Sequence, residues 1–340
     1  MSCSFHPYSA AISSFKTKDG QELVIGFENP DNYYSDKNSF LGACVGRVAN
    51  RIFGANVSVQ GTDYPLNHNG DSVTLHGGPK GWAKVDWEGP VTTTTSDGKT
   101  QTVFKHLSPH LDQGFPGEVQ TQVTYTYYTV QEDGAEKFNL EFEFEARLTD
   151  NSPVDETVIS LTNHAHFNPS ADRTTIDGTR CKVFTNQALE KENGVGKPTG
   201  EVKAFEPIPA DCSFFTMTKD GPRIDHTFAA TDLSKDQKID TRNDELKPLV
   251  HMYHPSNDVN IKISSTDPAF QIYSCEGMNI PKLEGESQGF GDRAGIACEP
   301  SRPTNAASMP QWRNWVTLKK GQTYGSKSVF SNWIKELDEY

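Results

Sequence analysis

Two histidines one residue apart, His164 and His166, lie in the run Leu161-Thr162-Asn163-His164-Ala165-His166-Phe167-Asn168-Pro169. If that run is extended, its period of two puts both imidazoles on one face and Ala165 and Phe167 on the other. A metal centre would need further ligands at suitable spacing, and none is evident, so no metal site is expected. General acid–base work needs only a carboxylate brought near in space. Glu299 is a candidate: it closes the small apolar run Gly295-Ile296-Ala297-Cys298, just before Pro300, which predicts a strand end where sites open. Gln271 and Tyr273 in Phe270-Gln271-Ile272-Tyr273 share one strand face, an amide for hydroxyls beside a ring for an apolar sugar face. Gly46-Arg47-Val48-Ala49-Asn50-Arg51-Ile52 sets forked donors in an apolar frame. Those arginines could grip hydroxyls or carboxylates, or form structural ion pairs. In Leu75-His76-Gly77-Gly78-Pro79-Lys80-Gly81-Trp82 the glycines allow a ligand close to His76, which could equally be a solvated loop residue.

The elements that position these groups read as strands. Phe138 to Leu148 alternates apolar and polar residues, which makes a strand with one wet face, and Val119 to Val130 is dense in β-branched and aromatic residues. Gln131-Glu132-Asp133-Gly134 between them supplies turn chemistry, so the pair predicts a hairpin. Further turn dipeptides fall at Asp19-Gly20, Asn69-Gly70, Asp97-Gly98, Asp177-Gly178, Asn193-Gly194 and Asp220-Gly221. Shorter alternations occur at Val259 to Ile263 and Trp315 to Leu318, and Val91-Thr92-Thr93-Thr94-Thr95 reads as an exposed strand edge. The tail Asn332 to Tyr340 is the best helical candidate. Strands from end to end, with no linker and no internal repeat, predict one all-β domain over residues 1–340.

Composition narrows the function classes. Lys and Arg number 32 against 45 Asp and Glu, a net charge of −13, and no basic cluster for a phosphate backbone exists, so no nucleic-acid partner is expected. No stretch has the ~18 apolar residues of a membrane helix, and the start lacks a signal-peptide pattern, so a cytoplasmic protein without a membrane partner is expected. The six cysteines show no C-x-x-C spacing and read as buried thiols.

Together these segments resemble the aldose 1-epimerase (galactose mutarotase) family. Gly46 to Ile52, Leu75 to Gly78, Gly114-Phe115-Pro116-Gly117, Thr162-Asn163-His164 with Phe167-Asn168, Asp225-His226-Thr227-Phe228, Gln271-Ile272-Tyr273 and the Glu299 segment follow the family's order from about Ala10 to about Phe330. The resemblance implies a β-supersandwich of large antiparallel sheets whose shallow cleft holds one hexose, with no cofactor. It implies Glu299 as general base and His164 as general acid in opening and reclosing the hemiacetal ring. Asn50, Arg51, His76, Asp225 and Gln271 would hold the sugar, with His166 and Tyr273 close behind them. The partner would be a monosaccharide such as glucose or galactose, the protein a monomer or weak dimer. Unperturbed pKa values would make the pair a carboxylate and an imidazolium.

This sequence also departs from the family pattern. It begins late, His166 stands where the family more often has Tyr, and Pro300-Ser301-Arg302-Pro303 replaces a polar run. A relative acting on hexose 6-phosphates would need a cationic pocket, to which Arg293 and Arg302 could contribute. A non-catalytic sugar-binding relative would keep the gripping residues and lose the base or the acid. A glycoside hydrolase would use paired carboxylates such as Asp225 and Glu299 and leave the imidazoles without a role.

Overall fold

The computed structural model describes residues 1–192 and 196–337. Two large antiparallel sheets dominate it, as the β-supersandwich reading requires. The larger has nine strands, in spatial order Phe215–Thr216, Arg180–Val183, Lys247–His254, Val259–Ser265, Tyr324–Ile334, Ala135–Leu148, Val119–Glu132, Thr100–Ser108 and Glu88–Thr94. The smaller has six: His166–Phe167, Ile296–Ser301, Ala269–Tyr273, Asp225–Ala229, Gln187–Lys191 and Pro198–Ala204. Among the described residues helix is confined to short 3₁₀ turns.

The central hairpin shows why this sequence makes sheets. Glu132 pairs with Ala135, so Asp133 and Gly134 alone form the turn, both with positive φ (52° and 71°). That is the conformation of a two-residue turn whose twist matches the flanking strands. Phe138, Leu140, Phe142, Phe144, Ala146 and Leu148 are buried, and the alternate glutamates are only half-covered. Phe142 and Phe144 belong to the same core cluster as Phe167, Phe228 and Phe270 of the smaller sheet, and the Phe167 and Phe330 rings meet edge-on at 4.9 Å. Burial of these aromatic faces between the sheets is the main favourable term in the fold.

Several expectations need correction. The tail is not helical where described: Asn332 to Ile334 completes the strand Tyr324–Ile334, pairing with Phe138 and Val259 at its end, and Tyr340 lies outside the described residues. The Asn193-Gly194 turn also falls outside them. Trp315 sits in the 3₁₀ turn Arg313–Trp315, so the strand there is only Thr317–Lys319. Pro300 does not end its strand, which continues to Ser301 opposite Ala269. The flanking strand His166–Phe167 reaches only Ala297 and Ile296, so no ladder bond on that side is lost to the imide nitrogen. Val91–Thr94 does lie in the exposed edge strand Glu88–Thr94. The cysteines are free; Cys44, Cys181, Cys275 and Cys298 are buried, and Cys3 and Cys212 half-buried. No helix among the described residues is long and apolar enough to cross a membrane.

Just beyond Glu299, the fully buried Arg302 pairs with the equally buried Asp267 and donates to the Ile239 carbonyl at 2.9 Å. Removing one partner strands the other charge in the core. Asp267→Ala is expected to lower the unfolding free energy by roughly 3–5 kcal/mol. Urea unfolding followed by tryptophan fluorescence measures it, and an unchanged midpoint would show that the pair does not brace this strand.

Candidate active site

Alternation along the smaller sheet builds the floor of a cleft. Phe167, Phe228, Phe270, Ile272, Ile296 and Cys298 point into the core, so His166, Thr227, Gln271, Tyr273 and Glu299 face the opposite way. Register aligns them further: Thr227 pairs with Gln271 and Gln271 with Glu299, a single rung across neighbouring strands. The ladder of Arg51–Phe53 with Val73–Leu75 forms one wall and presents Asn50, Arg51 and His76. Ser39-Phe40 and Gly277-Met278 complete the cavity of about 280 Å³. That is the small end of ligand-site volumes, suited to one sugar ring.

The close approach at His76 depends on Gly77. Its φ is +82°, and a Cβ there would stand 1.9 Å from the Gly46 carbonyl oxygen, so only glycine lets the two motif segments meet. Asn163 braces the neighbouring loop by donating to the Gly42 carbonyl (2.7 Å) and accepting from the Ala165 amide (3.0 Å).

Glu299 and His164 meet in this cleft, Oε1 to Nε2 at 3.5 Å, with both side chains almost entirely buried. Burial pushes the Glu299 carboxyl up to about 8, the Asp225 carboxylate adding to the rise and Arg51 opposing it. Burial also pulls His164 down to about 4, partly offset by its own carbonyl oxygen. Between those values the pair holds one proton in total. The resting state is therefore a carboxylic acid beside a neutral imidazole, or its ion-pair tautomer with the same proton count. Unperturbed values placed the charges on both groups; desolvation by the surrounding fold reverses that preference. His76 and His166 are both held well below the ordinary imidazole range, first by burial and then by the neighbouring imidazoles, with Arg51 also acting on His76.

The polar network around Gln271 is tightly specified. Gln271 Nε2 donates to Asp225 Oδ1 (2.6 Å), while its Oε1 accepts from Thr227 Oγ1 (2.7 Å) and Asn50 Nδ2 (3.2 Å). Asn50 Oδ1 accepts from the Arg51 amide at 2.9 Å. Gln271 thus spends its amide on aligning Asn50 and Asp225, and Arg51 Nη1 also donates to Asn50 Oδ1 (3.4 Å), which leaves the other Asp225 oxygen and the rest of the Arg51 guanidinium for a ligand. Asp225 is exposed at the mouth, and Tyr273 is half-buried beside Gly277.

His76, His164 and Glu299 bring one donor atom each within 4.8 Å of one another, a set that could in principle enclose a cation. Its chemistry fits one poorly. His76 Nδ1 accepts from the Asn50 amide at 3.3 Å, so in the neutral ring Nε2 carries the hydrogen and neither nitrogen offers a free lone pair. The same tautomer makes His76 a good hydrogen-bond donor to an oxygen.

The structure separates the paired arginines. Arg51 lines the cleft, whereas Arg47 is buried and donates to the Pro116 and Gly117 carbonyls (2.7 and 2.9 Å) and to Ser108 Oγ (2.5 Å). The Gly114–Gly117 motif is therefore the anchor of a structural arginine. Arg293 pairs with Glu276 and Arg302 with Asp267, so neither lines the cleft. Phe40 and Thr227 were missed by sequence reasoning. Phe40 sits in a loop without periodicity; Thr227 could have been found from its place two residues after Asp225. A larger hollow of about 960 Å³ beside Trp312 has only exposed charges, Asp232, Lys235 and Asp236.

A sequence profile described as Aldose 1-epimerase matches residues 1–331. The bifunctional protein gal10 of Schizosaccharomyces pombe is 32% identical over 333 residues, covering 98% of this chain and 44% of that protein. The chain thus spans less than half of such a relative. An uncharacterized isomerase of Saccharomyces cerevisiae is 30% identical over 337 residues (95% of this chain, 91% of that one), and galactose mutarotase of Bos taurus 26% over 334 (95% and 88%). Among solved structures, the GalM/aldose epimerase homologue from C. elegans superposes with a TM-score of 0.76 at 22% identity, covering 98% of this chain and 96% of that one, which shows a shared fold.

Proposed function

The chain belongs to the aldose 1-epimerase family, an enzyme family, and from that premise we propose that it interconverts the α- and β-anomers of an unphosphorylated hexose such as glucose or galactose. The observation that carries this reading is the buried contact of Glu299 with His164, a pair holding one proton in a cleft of one sugar's size. Anomer exchange needs no net proton change. The hydrogen leaves the C1 hydroxyl, another arrives on the ring oxygen, C1–O5 breaks, and the aldehyde turns about C1–C2 before closing with the transfers reversed. We assign Glu299 to the C1 hydroxyl as base and His164 to the ring oxygen as acid.

On this assignment the substrate meets the ion-pair tautomer, and its polar hydroxyls replace the solvation that burial removed. His76, through Nε2–H, steadies charge growing on oxygen during opening. Arg51, Asn50 and Asp225 hold the hydroxyls, with Gln271 aligning the last two. All these residues, from Asn50 to Glu299, serve one ligand, which supports reading residues 1–340 as one functional unit.

Substrate choice follows from charge. Arg51 is the arginine in the cleft, Arg293 and Arg302 are engaged elsewhere, and Asp225 stands at the mouth. A phosphate dianion is poorly matched there. Polarimetry of freshly dissolved α-glucose, α-galactose and glucose 6-phosphate tests the reading. Both free sugars should mutarotate faster with the protein, with kcat/KM for the phosphate lower by about tenfold or more, the equivalent of ~1.4 kcal/mol. Preference for the phosphate would overturn the substrate assignment, and acceleration of none of the three would overturn catalysis itself.

A further inference from the structure

Two other rings stack against His164: Phe40 (centroids 5.8 Å apart, planes at 26°) and His166 (4.7 Å, 30°). His76 meets both His164 and Phe40 at steeper angles, at 5.1 and 4.9 Å. A working imidazole is commonly oriented by a hydrogen bond from its second nitrogen to a carboxylate or carbonyl. Here His164 Nδ1 is buried and, apart from its own carbonyl oxygen, meets no acceptor, so no other residue fixes the ring by such a bond. Phe40 itself adopts φ +62°, a left-handed conformation that is rare for an aromatic residue and persists only where its surroundings impose it. Asn38 imposes it, accepting from the Leu41 amide (3.0 Å) and donating to the Tyr33 carbonyl (2.8 Å). Phe40 also packs on the cluster of Ala43, Val45, Ala49 and Ala83, and Lys84 Nζ lies over its ring at 5.6 Å from the centroid.

We propose that Phe40 and His166 are positioning residues that clamp the His164 imidazole with flat rings, in place of a hydrogen-bonded orienting residue. The requirement is planarity and contact, and it rests on the assignment of His164 as the acid. It also gives the imidazole at position 166 a use: a flat ring there supports His164, and its low basicity keeps a second cation out of the stack.

The test separates kcat from KM. Phe40→Leu keeps apolar volume and removes the flat ring; kcat should fall roughly tenfold to a hundredfold, the cost of misplacing a reacting group by about an ångström, with KM within about twofold. Phe40→Tyr and His166→Phe, which keep flat rings, should retain near-native kcat, while His166→Leu should lose it. The His164 Cε1–H resonance, shielded by two rings in the native protein, should move downfield in Phe40→Leu, and thermal unfolding checks that each variant is folded. Unchanged kcat and resonance in folded Phe40→Leu would overturn the clamp, as would a raised KM with unchanged kcat, the mark of a sugar platform. His164→Asn separates the two ideas. If it is inactive while folded Phe40→Leu is native-like, the clamp alone fails; if it keeps near-native kcat, the acid assignment fails and the clamp with it.

Discussion

Glu299→Gln is expected to lower kcat for mutarotation by about 10³-fold, within the range for removal of a general acid–base group. The amide has the carboxyl's shape and can still hydrogen bond, but it cannot take a proton from the C1 hydroxyl. Stability should be unchanged or slightly higher, because the cleft already disfavours a charge there: burial and Asp225 push this carboxyl up to about 8. Polarimetry at substrate saturation together with urea unfolding reads both quantities. A folded variant with near-native kcat would remove Glu299 from the mechanism.

His164→Asn should cost about 10²–10³-fold in kcat, since the ring oxygen then takes its proton from water. The double variant should be little worse than the poorer single one, because either loss breaks the same relay. The pair also sets the pH dependence. Below about 4 both groups hold protons and no base remains; above about 8 neither does and no acid remains. kcat/KM should therefore form a bell with limbs near those values, which belong to the pair jointly. Each single variant should lose the two-limbed shape. A bell that survives in His164→Asn would place the second titrating group elsewhere.

How far the sequence reveals this depends on the range of the interactions concerned. The hairpin from Val119 to Leu148 is legible because its signals are local: a period of two on each side of Asp133-Gly134. The shared face of His164 and His166, and that of Gln271 and Tyr273, follow from the same period. Arg47 and Arg51 could not be told apart, because what distinguishes them is remote: Arg47 finds its carbonyl partners at Ser108 to Gly117. Phe40 was invisible for a related reason, since a half-buried loop residue carries no period. Gln271 lines the cleft, and its bonds to Asp225, Thr227 and Asn50 arise only when separate strands and loops converge. The protonation of Glu299 and His164 lay furthest from view, because desolvation is a property of the assembled fold.

The rung of Thr227, Gln271 and Glu299 gives this architecture an uneven tolerance of insertions and deletions. A one-residue insertion within Ala269–Tyr273 would turn Gln271 toward the Phe270 side of the sheet and carry a core residue into the cleft. Lengthening the loops at 230–246 or 274–295 leaves the rung where it is, provided the strands keep their pairing. Such segments include Gly277 and Met278 at the rim. A lineage built this way can lengthen or shorten its rim, and so revise what the cleft admits, while the rung and the side chains it carries stay in place.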